Sequence, residues 1–203
     1  MTAIITGDVI NSEAHGSAQW VNLLKNLFAK WGETPLDWEI YRGDEFQLKV
    51  PPKLALRAAV QIKAHLKSIK ALDVRMAIGI GSETFKGVSV SESNGTAYQR
   101  SGRTFETLKE EKLNMAIATG NIKEDSTLNL MLKLALDFMD QWTPVSAEIV
   151  AIALESPSLS QQEIADMLGI QQSAVSQRQK RARLDLVLAL LQYYPQTIKR
   201  MKP

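Results

Sequence analysis

The 203-residue sequence contains no cysteine. That excludes a disulfide framework, a thiol nucleophile and any zinc or iron–sulfur site built on thiolates. Histidine is nearly absent too. His15 and His65 are the only two and lie far apart, which leaves no His-rich metal site and no Ser-His-Asp triad. No apolar run is long enough to span a bilayer. The start, from Met1 to Asp8, lacks a basic segment leading into a long apolar stretch, so no signal peptide is expected. A cytoplasmic chain without a membrane partner is the expectation. Neither charge sign dominates, with 24 Lys and Arg against 22 Asp and Glu. What is present is an ordinary globular mixture, 45% hydrophobic and 23% charged, sufficient for one large domain or two small ones. Charge is uneven in one place. Between Ile170 and Leu184 stand Arg178, Lys180, Arg181 and Arg183, with no acid. A local basic stripe is the electrostatic footprint of a polyanion partner.

Hydrophobic periodicity sets the element order. Ala3–Ile5 begins a short strand running into Gly7-Asp8. Apolar residues from Trp20 to Phe28 recur at helical spacing, and Gly32 and Pro35 stop that helix. Trp38–Tyr41 and Phe46–Val50 read as the two strands of a hairpin with Gly43-Asp44 at its tip. A helix from Leu54 to Leu66, a strand from Val74 to Ile80 relaxed at its end by Gly79 and Gly81, and a Ser/Gly/Glu-rich loop from Ser82 to Ser93 come next. A charged helix from Ala97 to Lys112 and a strand from Leu113 to Thr119 complete the N-terminal region. The order β-α-β-β-α-β, extended by one α-β unit, is the ferredoxin-like split pattern, with helices expected on one face of the sheet. The fold class is therefore α+β: a ferredoxin-like domain over residues 1–121, a connecting helix over 122–141, and an all-α domain over 142–203.

The all-α domain carries the sharpest motif. Ser160 and Glu163 form a capping box that starts a helix. Ile164, Ala165 and Leu168 give its buried face, with Ala165 small where two helices approach. Gly169 supplies the positive backbone angle of a turn, Ile170 plugs the core beneath it, Gln172 or Ser173 opens the next helix, and Val175 anchors that helix. Gln171, Gln172, Ser173, Ser176, Gln177 and Lys180 then point outward, with Arg181 beside them. Gln can pair with adenine edges in the major groove, and Ser, Lys and Arg can hold phosphates. Arg178 stands where such motifs are usually apolar, and its stem is expected along the core with its head on a phosphate. The stretch from Trp142 to Arg183 resembles the helix-turn-helix of sigma-factor region-four-like and related bacterial regulators, which implies DNA as a partner. The second helix reads as running on through Leu184, Leu186, Val187, Leu188, Leu190, Leu191, Tyr193 and Tyr194 to an end at Pro195. A helix so apolar is buried, either on the rest of the chain or on a second copy.

Two carboxylates stand out in the N-terminal region. Asp8 follows the first strand and Asp44 sits at the hairpin tip. In a split βαβ sheet these positions are neighbours, and paired carboxylates suit Mg²⁺. Ile4-Ile5-Thr6-Gly7-Asp8-Val9-Ile10-Asn11-Ser12 and Tyr41-Arg42-Gly43-Asp44-Glu45-Phe46 resemble the metal-binding strand and hairpin of class III nucleotide cyclases, and the latter also resembles the turn of diguanylate cyclases. Val74–Gly81 resembles the following cyclase strand, and Gly95–Arg103 the cyclase helix that carries an Asn and an Arg. The resemblance implies Mg²⁺ on Asp8 and Asp44, a nucleotide or other phosphate ligand near Glu92 and Arg103, catalytic candidates in Gln99 (where the family has Asn) and Arg103, and a homodimer, because such sites form between subunits. Ile40 replaces the purine-reading Lys, and the late phosphate-binding Lys is missing. The whole chain resembles the SatD family of bacterial proteins, which join a cyclase-like domain to a helix-turn-helix. Three readings follow: a DNA-binding regulator whose N-terminal domain binds a nucleotide or phosphate ligand, a metal-dependent nucleotidyl- or phosphoryl-transfer enzyme, and a degenerate dimerisation scaffold.

Overall fold

The structure, a computed structural model, describes residues 1–14, 16–41 and 43–201, so His15 and Arg42 lie outside the described residues. Among the described residues, strands β1 (Thr2–Ile10), β2 (Trp38–Tyr41), β3 (Glu45–Val50), β4 (Asp73–Gly81) and β5 (Met115–Ala118) form one sheet in the order β2-β3-β1-β4-β5. All neighbours are antiparallel except β5, which runs parallel to β4. Helices α1 (Ser17–Phe28), α2 (Ala55–Lys67) and α3 (Thr96–Glu111) connect the strands in the order expected from periodicity. β1 is longer than expected. It runs on to Ile10, so Asp8 lies within the strand rather than after it.

Side-chain alternation then decides which face each residue serves. Ala3, Ile5 and Val9 of β1, Phe46, Leu48 and Val50 of β3, and Val74, Met76, Ile78 and Ile80 of β4 enter the main core with Trp20, Leu24 and Phe28 of α1. Ile4 and Thr6 point to the other face. There Ile4 packs with Ala97 and Tyr98 of α3, and the Thr6 hydroxyl bonds the Ser101 hydroxyl at 2.6 Å. Helices thus cover both faces, correcting the expectation of one. The reason lies in β4. A Cβ on Gly79 would stand 2.1 Å from the Ala97 carbonyl oxygen and 2.3 Å from the Ser101 nitrogen. Gly79 therefore does not loosen the strand end. It lets the backbone of α3 rest directly on the sheet. Gly79→Ala must push α3 outward, and overpacking against rigid backbone costs roughly 2–3 kcal/mol. A lower urea midpoint at unchanged m-value checks this.

The main core does not stop at the sheet. α2 is buried on nearly all sides, with Ala55, Leu56, Ala58, Ala59, Val60, Ile62, Ala64 and Leu66 sequestered. A helix buried on nearly all sides needs cover on its far side. That cover comes from α5 (Pro144–Glu155) and α8 (Leu184–Arg200), whose Ala147, Val150, Ala151, Leu154, Val187, Leu190 and Tyr194 belong to the same core. The Tyr194 hydroxyl donates to the Pro52 carbonyl at 2.8 Å. The link between sheet and C-terminal helices, α4 (Ile122–Met139), lies along the sheet edge. The Asn129 side chain donates to the Ile117 carbonyl and accepts from the Ile117 N–H, both at 2.8 Å, imitating a neighbouring strand. One apolar core therefore runs across positions 122 and 142.

Two features of the C-terminal helices differ from the sequence reading. α7 (Gln172–Arg181) does not run on into α8. Arg183 takes a left-handed backbone (φ 52°) and turns the chain between them. Pro195 lies inside α8, which continues to Arg200 because Thr197 and Ile198 beyond it are buried.

Candidate nucleic-acid interface and acidic cleft

α5, α6 (Gln161–Leu168) and α7 form a small second core of Ile149, Ile164, Ala165 and Val175, with Leu168 and Ile170 packed against it. The capping box at Ser160 and Glu163 is present, as is the left-handed Gly169 (φ 63°). Gln172 is the first helical residue of α7. Gln171 is its N-cap and makes no side-chain cap bond. The unit is clamped to the body by Trp142, whose buried indole N–H donates to the Ala182 carbonyl at 2.9 Å.

The outer side of α7 is free of the protein's own packing. Gln171, Gln172, Ser173, Ser176, Gln177, Lys180 and Arg181 are all exposed. At the C-terminal end of α7 a hollow is lined by Gln177, Lys180, Arg181, Arg183 and Asp185. Arg183 thus joins the basic surface. The basic stripe in the sequence contained it, but only the turn it makes places it beside Lys180 and Arg181. Arg178 behaves differently from the expectation. Its guanidinium lies 3.5 Å from the Glu148 carboxylate of α5 and is largely covered. The position faces α5, so the head pairs with the nearest acid instead of reaching outward.

The two sequence-predicted aspartates line one open cleft of about 690 Å³, together with Ser12, Glu13, Arg75 and Lys109. Strand parity puts Asp8 on the α3 face of β1, opposite Arg75 of β4 in register. The Arg75 guanidinium donates to Asp8 Oδ2 at 3.2 Å, and Lys109 Nζ of α3 lies 3.9 Å from the same oxygen. Asp8 Oδ1 is buried without a hydrogen-bond partner. Burial pushes the Asp8 carboxyl above its usual range, and Arg75 and Lys109 do not fully offset it. Asp44 accepts from the Ser12 hydroxyl at 2.8 Å, and its carbonyl accepts from the Val9 N–H at 3.1 Å, which fixes the hairpin tip over the end of β1. Three carboxylates, Asp8, Glu13 and Asp44, line the cleft, but among the described residues no cluster of three or more His, Cys, Asp or Glu converges to hold a metal ion. Glu92, Gln99 and Arg103 are exposed and do not line it.

Arg75 and Lys109 were not among the sequence candidates. For Arg75 a signal existed: the alternation Val74, Met76, Ile78, Ile80 turns residue 75 to the opposite face, where Asp8 also points. Lys109 had none, because α3 carries exposed charge at many positions.

Residues 148–186 match the family Sigma-70, region 4. The matched span covers α6, α7 and most of α5, and identifies a helix-turn-helix of the DNA-binding kind. Comparison of the sequence with curated proteins gives no significant match. No helix among the described residues is long and apolar enough to cross a membrane.

Proposed function

We propose that the protein is a transcription-regulator-like DNA-binding protein of the SatD type, whose ferredoxin-like, cyclase-like sheet carries a site for a nucleotide or related phosphate ligand. The observation that carries the DNA half is the exposed Gln/Ser/Lys/Arg face of α7 within the matched helix-turn-helix. It places amide groups at the N-terminal end of the second helix, where base edges are reached, and cations at the other end. Salt-sensitive binding of the full chain to duplex DNA tests it, and its absence on every duplex tried would defeat the reading.

For the sheet, the strand order β2-β3-β1-β4 with antiparallel neighbours supports the ferredoxin-like reading. The orphan Asp8 Oδ1, in a cleft that Asp44 also lines, suits a hard cation. Mg²⁺ typically takes one or two carboxylates and completes its shell with water and phosphate oxygens. Asp8 and Asp44 would hold it, and it would neutralise ligand phosphate charge. Arg75 and Lys109 add positive charge to the same cleft and favour an anionic ligand. Exposed Gln99, Arg103 and Glu92 lie outside this cleft, which favours ligand binding over turnover within one chain and fits a homodimer in which a second copy brings them in.

A thermal-shift panel of nucleotides tests this half. At ligand about 100-fold above Kd, ATP or GTP with Mg²⁺ should stabilise the chain by ~2.7 kcal/mol, roughly 5–10 °C. Asp8→Ala and Asp44→Ala should each abolish the metal-dependent component. Metal-dependent turnover lost in the same variants would establish the enzyme reading instead. No shift with any nucleotide would leave the sheet as a scaffold.

A further inference from the structure

Three glutamines of the helix-turn-helix are joined side chain to side chain. The Gln172 amide donates to the Gln161 side-chain oxygen, and the Gln161 amide in turn donates to the Gln179 side-chain oxygen at 2.7 Å. Gln161 is the first residue of α6, and Gln172 and Gln179 lie one heptad apart on α7. The relay therefore joins the start of α6 to the first residue of α7 and, through Gln179, to the last turns of α7. Gln161 and Gln179 are half-buried, whereas Gln172 is exposed.

We propose that Gln161 is a positioning residue that presents Gln172 to adenine. The inference rests on the DNA-binding reading of α7 and goes beyond it by assigning one base and the device that reads it. The count of hydrogen-bonding groups supports the choice of base. A carboxamide has two N–H donors and one oxygen acceptor. Gln172 spends one donor on Gln161. One donor and the oxygen remain, held in a single plane. Adenine offers an acceptor, N7, and a donor, N6, side by side in the major groove, whereas guanine offers two acceptors there. A free Gln could rotate its amide to suit either partner. A Gln anchored through one N–H by a neighbour that is itself anchored by Gln179 cannot, and its rotamer freedom is surrendered before DNA arrives.

The test uses the full chain and a pool of duplexes randomised over the footprint, followed by competition among duplexes that differ at one base pair. Wild type should prefer adenine at one position by about tenfold or more. Gln172→Ala and Gln161→Ala should each bring that ratio close to one at the same position, and the double variant should lose no more than either single. The salt dependence of binding should stay the same in all three, because no phosphate contact is removed. Gln161→Glu keeps the acceptor for Gln172 and should retain the adenine preference at lower overall affinity. If Gln161→Ala keeps the preference that Gln172→Ala loses, the positioning role is wrong while the DNA reading stands. A preference for guanine at the Gln172-dependent position overturns the assignment of the base. Failure of wild type to bind any duplex in a salt-sensitive way overturns the DNA reading itself.

Discussion

Asp73→Ala should lower the unfolding free energy by roughly 3–5 kcal/mol, while Lys63→Met costs far less. Lys63 of α2 has no exposed side-chain surface and sits 2.6 Å from both Asp73 and Asp140. Lys67 joins at 3.0 Å from Asp73 and donates to the Asp140 carbonyl at 2.7 Å, and Asn114 donates to the Asp140 carboxylate at 3.0 Å. This network ties α2, the start of β4 and the C-terminal end of α4 together beneath the apolar core. Removing Asp73 leaves a buried ammonium with one carboxylate fewer and also removes the acceptor for the Val74 N–H. Removing Lys63 in favour of a side chain of similar length deletes the buried charge; Asp73 keeps Lys67, and the Asp140 carboxylate, a third exposed to water, keeps Asn114. Replacing buried ions by apolar groups is close to neutral only where no partner is left buried and unpaired, whereas stranding a buried ion is costly. Chemical denaturation of the two variants separates these cases. Equal losses would mean that the network acts through packing alone.

The strands of this protein were readable because alternation is a strict code. Val74, Met76, Ile78 and Ile80 name the core face, and the same parity carries Arg75 to Asp8. The helix-turn-helix was readable because cap, small residue, turn Gly and anchor fall on fixed offsets, each with its own steric reason. Other features depend on partners distant in sequence. The glycines of β4 look like loosening residues until α3 is seen lying on Gly79. The stretch around Pro195 reads as a helix end, yet tertiary burial of Tyr194, Thr197 and Ile198 carries α8 past it, a case of packing overriding local propensity. Arg183 gave no local sign of a left-handed turn, which non-glycine residues adopt uncommonly. The two carboxylates were legible and strand parity carried a signal for Arg75, but nothing local marked Lys109. Lys109 reaches Asp8 only because α3 covers the face of the sheet that was expected to be bare.

The basic residues of α7 should divide into two classes when binding to duplex DNA is followed against salt. Lys180 and Arg181 are exposed beside the hollow at the end of α7. As phosphate contacts they release condensed counterions, so each alanine should make the plot of log K against log salt shallower by about 0.9. Affinity at low salt should fall roughly tenfold or more per residue, alike for every sequence. Arg178 sits in the same stripe but faces Glu148 at 3.5 Å. Arg178→Ala should leave the slope unchanged and cost no more than about 1 kcal/mol of stability, as partly exposed pairs do. The reciprocal change is the sharper one. Glu148→Ala removes an anion from beside α7 and frees the Arg178 guanidinium, so the slope should steepen even though no residue of the recognition helix has been altered. If Arg178→Ala instead flattens the slope by the same amount as Lys180→Ala, the arginine leaves Glu148 when DNA binds. The pair would then be a latch between α5 and α7 rather than a fixed strut.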